Sequence, residues 1–102
     1  MDDIIITGPQ CRAARALVQL TAEQVAQQAG LEPQVIRDFE TGRADPGVEV
    51  KRTLRGSLEE AGAVFIPENG GGIGVRLKYS RRDVRGVNKW ESEGGSVGED
   101  DV

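Results

Sequence analysis

The chain has 102 residues, 37% hydrophobic and 4% aromatic, with a formal net charge of −4 and one cysteine. That length suits one compact domain, and a lone Cys11 excludes an internal disulfide, so a disulfide-stapled secreted fold is not expected. No apolar run is long enough to cross a bilayer, and Ile4-Ile5-Ile6 follows two aspartates rather than a basic stretch. Neither a membrane partner nor a signal peptide is therefore expected, and the composition suits a reducing cytoplasm.

The charge is unevenly distributed. Asp2 and Asp3 at one end and Glu99, Asp100 and Asp101 at the other are acidic. Residues 10–62 hold seven basic and eight acidic groups, and residues 63–93 hold six basic and four acidic. An acidic average argues against nucleic acid unless the charge is sorted onto one face.

In chain order, Gly8-Pro9 opens a first helix, because proline is tolerated where the N–H groups lack helical partners. Cys11, Ala14, Leu17 and Val18 recur at helical spacing as its inner side, with Arg12 and Arg15 opposite. Free cysteine is usually buried, which makes Cys11 a small core residue. Thr21 and Gln24 write a capping box for a second helix, Leu20 and Val25 staple its entry, and Gly30 ends it. Val25, Ala26 and Ala29 face inward. Pro33 starts a third helix with Val35, Ile36 and Phe39 inside, and with Gln34, Arg37, Asp38 and Thr41 spaced i, i+3, i+4, i+7 outside. Gly42 stops it. Asp45-Pro46 reads as the cap of a fourth helix carrying Val50, Leu54, Leu58 and Ala61 to Gly62.

After Gly62 the period alternates. Val64-Phe65-Ile66 is a strand, Pro67 to Gly72 a turn, and Val75, Leu77 and Tyr79 alternate with Arg76 and Lys78, which predicts a β-hairpin. Ser80-Arg81-Arg82-Asp83 caps a short helix with Val84, Val87 and Trp90 on one side and Arg81, Arg82, Arg85 and Lys89 as a basic face. That face is either solvated or a contact for a DNA backbone or a protein. Gly94 to Val102 is glycine-rich and acidic with almost nothing to bury, and is expected to be disordered. The expected division is 1–62, 63–93 and the tail 94–102.

The informative stretch is Thr21 to Gly42: two short helices meeting at a tight turn, with Ala26 small at a close crossing and Gly30 free of a Cβ. Thr21-Ala22-Glu23-Gln24-Val25-Ala26-Gln27-Gln28-Ala29-Gly30-Leu31, with Val35-Ile36-Arg37-Asp38-Phe39-Glu40-Thr41-Gly42-Arg43, resembles the Cro/CI-type (XRE) helix-turn-helix family of phage-repressor-like regulators. The resemblance covers residues 10–62. It implies a mainly α bundle of four or five helices, binding to double-stranded DNA as a homodimer on a two-fold operator, and control of transcription. It places Pro33, Gln34, Arg37 and Asp38 where the family reads bases, and Thr21, Ala22, Thr41 and Arg43 near phosphates. Glu40 is expected to be a structural partner of a first-helix arginine.

Two departures matter. Ala22 stands where the family often has glutamine and has no side-chain donor. Glu32-Pro33 opens the recognition helix where a hydroxyl residue is common, so weaker non-specific affinity is expected. Val64, Ile66, Val75, Leu77 and Tyr79 need burial, and the preferred expectation is that they form the dimer interface. The alternative is packing within one chain, as a three-stranded sheet. The Gly70-Gly71-Gly72-Ile73-Gly74 run leads into a strand rather than a helix, which disfavours a phosphate cradle. Histidine is absent, the cysteine is apolar in setting, and no carboxylate pair or metal-ligand spacing stands out, so neither an enzyme, a cofactor nor a metal is expected. The rival reading is a protein-interaction module whose partner is RNA polymerase, another regulator or a toxin.

Overall fold

A computed structural model describes residues 4–79, which form α1 (Gly8–Val18), α2 (Ala22–Ala29), α3 (Pro33–Thr41), α4 (Val48–Glu60) and a two-stranded antiparallel sheet, β1 (Ala63–Ile66) with β2 (Gly74–Leu77). The helix from Ser80, its basic face and the tail from Gly94 lie outside the described residues, as do Asp2 and Asp3. Among the described residues, no helix is long and apolar enough to cross a membrane.

Helices α1 and α2 start by the same device. The Thr21 hydroxyl accepts from the Gln24 N–H at 3.0 Å, and the Gln24 amide oxygen accepts from the Thr21 N–H at 2.8 Å. Thr7 and Gln10 repeat the exchange at 3.2 and 3.0 Å, so the cap of α1 is Thr7, ahead of the Gly8-Pro9 pair. Each exchange satisfies two N–H groups that the first turn leaves without helical partners. Gly30 and Gly42 close α2 and α3 with φ of 73° and 78°, in the left-handed region where a Cβ is strained.

The fourth helix begins later than the Asp45-Pro46 signal predicts. Asp45 instead folds back locally, its carboxylate accepting from the Gly47 N–H at 2.8 Å and from Lys51 Nζ at 3.1 Å. Gly47 itself is the cap, and helical residues start at Val48. An aspartate that bonds the N–H two residues on serves a turn as well as a helix start.

One core joins every element. Ile6, Cys11, Ala14, Val25, Ala26, Ile36, Phe39, Leu54 and Leu58 are buried together, and Ala63 and Phe65 of the hairpin belong to the same cluster. Leu17 and Ala61, expected inside, are exposed, and Val35 is half-buried. Ile4 to Ile6 form no third strand; Ile6 enters the core as a side chain. Residues 63–77 thus complete the bundle of residues 4–62.

The register pairs Ala63 with Leu77, Val64 with Arg76, Phe65 with Val75 and Ile66 with Gly74. Directly paired residues share a face. Ala63, Phe65, Val75 and Leu77 therefore lie on the bundle side, whereas Val64 and Ile66 lie on the other. Gln10, buried in α1, fastens the far end of the hairpin: its amide nitrogen donates to the Gly74 carbonyl at 2.9 Å and to the Ile66 carbonyl at 3.3 Å.

Phe65→Ala is expected to destabilise by about 3–5 kcal/mol through the cavity it leaves, whereas Val64→Ala costs under about 1 kcal/mol. Equal losses in urea unfolding would contradict the assigned faces. Nothing in the structure explains Gly56, which is exposed in mid-α4 with open space where a Cβ would go. Gly56→Ala is expected to raise stability by about 1 kcal/mol, read as a higher melting temperature.

Candidate nucleic-acid interface

Three residues, Gly30 to Glu32, connect α2 to α3. The turn is closed by the Leu31 N–H donating to the Ala26 carbonyl at 2.9 Å, and Leu31 packs against the core. α3 then presents Ile36, Phe39 and Glu40 inward.

Glu40 is an acid in the core, and Arg15 makes that tolerable. Arg15 Nε donates to Glu40 Oε2 and its NH2 to Oε1, both at 2.7 Å, a two-pronged match of guanidinium to carboxylate. Its NH1 reaches the Leu20 carbonyl at 3.1 Å, just ahead of α2. One side chain thereby ties α1, the α1–α2 connection and α3 together. Arg15 was expected on the outer side of α1, but its guanidinium is folded onto Glu40, while Arg12 is exposed. Cys11 lies beside this pair, its thiol donating to Glu40 at 3.4 Å. Burial first, then the Glu40 charge, pushes the thiol up to about 12.

The approach of α1 to α3 also needs Gly8. A Cβ there would run into the Phe39 carbonyl oxygen, which is backbone and cannot swing aside.

On the opposite side of α3, Gln34, Arg37 and Thr41 are exposed, Pro33 and Asp38 are half-buried, and Arg43 just past the helix is exposed. This brings the expected base-reading residues onto one surface, although they are not idle there. Gln34 donates to Asp38 at 2.9 Å, and Arg43 lies 3.8 Å from the same carboxylate. Arg37 pairs through NH2 with Glu23 in the first turn of α2, both side chains being exposed. Glu23 is held below the usual carboxylate range, first by its own backbone N–H and then by Arg37. Thr41 donates its hydroxyl to the Arg37 carbonyl at 2.8 Å.

The expected phosphate set divides. Thr21 and Arg43 are exposed, and the Thr21 hydroxyl, an acceptor in its capping box, keeps a proton to donate. The Ala22 side chain is buried in the core, so only its backbone is available to a ligand. The expected dimer set divides as well, because Val75 and Leu77 are on the bundle side of the hairpin and Val64 and Ile66 are not. Tyr79 lies beyond β2 and is half exposed.

The glycine run at the hairpin tip forms an anion cradle that is already filled. The Glu68 carboxylate accepts from the N–H groups of Gly70 at 3.1 Å and Gly72 at 3.2 Å, and Asn69 caps Gly71 at 3.0 Å. An internal carboxylate takes the place an external phosphate would need.

Sequence reasoning anticipated the partner of Glu40 but had no signal for Glu23 on Arg37, a contact made only once α2 and α3 cross. No family model matches the chain, and no curated protein matches it.

Arg15→Met strands a buried carboxylate and is expected to cost roughly 3 kcal/mol in urea unfolding. The Cys11 thiol is expected to resist alkylation at about pH 8 while folded and to react once the chain is unfolded. Its raised pKa favours the native state fully below the ordinary value of 9.0, and that contribution is lost as pH rises towards about 12. Rapid labelling of the folded protein would contradict the burial.

Proposed function

We propose that the protein is a Cro/CI-type helix-turn-helix regulator of transcription that binds a two-fold DNA operator as a homodimer, with α3 in the major groove. The observation that supports this reading most strongly is the division of α3 into two sides. Ile36, Phe39 and Glu40 lock it to the core, with Arg15 across from Glu40, and Gln34, Arg37 and Thr41 stand exposed opposite. A major groove is wide enough to admit such a helix.

In this reading Gln34 pairs with adenine and Arg37 with guanine, bidentate contacts each contributing about 1–3 kcal/mol of discrimination. Pro33 and Asp38 lie against the same base pairs, and Asp38 accepts from a cytosine amino group. Thr21, the Ala22 backbone, Thr41 and Arg43 meet phosphates. The second subunit docks on the outward side of the hairpin, where Val64 and Ile66 lie, and on Tyr79, which is half exposed beyond β2.

A second reading, a protein-interaction module for RNA polymerase, another regulator or a toxin, draws on one observation. Carboxylates already engage the polar side of α3: Glu23 on Arg37, and Asp38 on Gln34 and near Arg43. In that case α3 meets a protein surface rather than phosphates.

Selection from random duplex DNA at low salt separates the two. The DNA reading expects an inverted repeat with half-sites about one helical turn apart and salt-sensitive binding. A folded protein that enriches no duplex would leave the protein-interaction reading. On the selected operator, Arg37→Ala is expected to lose preference at one base pair of each half-site. Arg43→Ala is expected to weaken all duplexes alike and to flatten the salt slope by about 1. Equal loss of specificity from both variants would overturn this division of roles.

A further inference from the structure

We infer that Glu23 is a positioning residue for Arg37: it holds the guanidinium by one nitrogen, leaves the other nitrogens available to a base, and keeps the charge away from phosphates. The inference rests on the DNA reading and deepens it at one residue.

Arg37 engages Glu23 through NH2 only. A guanidinium carries five N–H donors in a rigid plane, so a single-nitrogen contact leaves enough of the fork for the two acceptors of a guanine edge. Both partners are exposed, at 45% for the Arg37 side chain and 60% for Glu23, so a duplex can approach the pair without unfolding anything. The two residues come from different helices. The contact therefore sets where the guanidinium stands relative to the α2–α3 unit, and not merely its rotamer along α3.

Two consequences follow for selectivity. An unrestrained arginine must be ordered before it reads a base, and long side chains lose most rotamer freedom on ordering. Glu23 supplies that ordering beforehand. A loose arginine also pairs with any phosphate within reach, which strengthens binding to every sequence alike. Glu23 offers it a carboxylate instead and repels the same phosphates. The pair raises the ratio of correct to incorrect binding while lowering binding overall.

The test uses the full chain and the duplex it selects, together with the same duplex altered at the base pair whose preference Arg37→Ala abolishes. Glu23→Ala is expected to reduce discrimination between these two duplexes by about two- to fivefold. It should also tighten binding to random duplex and steepen its salt slope by about 0.9. Glu23→Gln, which keeps a single acceptor but no charge, should retain more of the discrimination while showing the same tighter random binding. In an Arg37→Ala background, Glu23→Ala should leave discrimination at the other base pairs of the half-site unchanged. Undiminished discrimination at the Arg37 base pair in Glu23→Ala, or an equal loss at the other base pairs, would overturn the inference and leave the DNA reading intact. If neither the native chain nor Glu23→Ala binds any duplex, both fall together.

Discussion

A carboxylate in a protein interior is tolerated only when something nearby matches its charge and its lone pairs. The Glu40 side chain is 4% exposed and is matched by both prongs of Arg15. The rest of the arrangement depends on that match. Apolar packing of Ile36 and Phe39 holds α3 against the core, but apolar contacts have little directional preference and permit small rotations. The paired hydrogen bonds do not. They fix the rotation of α3 about its axis, and hence the direction in which Gln34 and Arg37 point. The third bond of Arg15, to the Leu20 carbonyl, brings the start of α2 into the same frame.

Polar side chains that serve two partners recur through the molecule. Gln10 completes the cap of α1 with its oxygen and holds the hairpin with its nitrogen. Asp38 accepts from Gln34 and faces Arg43 across the end of α3. Glu68 satisfies two glycine amides at the hairpin tip. Such residues are needed mainly at the ends of elements, because the helices satisfy most of their own backbone groups and leave their termini to be dealt with.

The helices were legible because their boundaries are written in side-chain chemistry that acts locally. Thr21 with Gln24, Gly30 and Gly42 all need only neighbours within a few residues. The same pattern was present at Thr7 and Gln10 but was overshadowed by the adjacent Gly8-Pro9. Asp45-Pro46 misled because its aspartate satisfies a turn amide in the way it would satisfy a helix start. The hairpin was legible as a hairpin, yet its inward face was not. Val64, Phe65 and Ile66 are all apolar, so alternation carried no information there, and Ala63 gave no hint of its burial. Which side turns inward was decided by the register with β2. Of the candidate interface, the outward stripe of α3 followed from helical spacing. Its internal charge pairing did not, since Glu23 and Arg37 meet only through the crossing of two helices.

The reach of Gln10 bears on the order in which a nascent chain acquires its shape. Its amide bonds to carbonyls 56 and 64 residues further on. A chain emerging from a ribosome with residues through 62 exposed has α1 to α4 in hand. It still has a gap where Ala63 and Phe65 belong, and a glutamine amide turned towards water. The bundle therefore closes late, when β2 arrives at the glutamine that completes the cap of the first helix. Until then α2 and α3 are carried on an unfinished scaffold, so synthesis itself delays the moment at which their packing is complete.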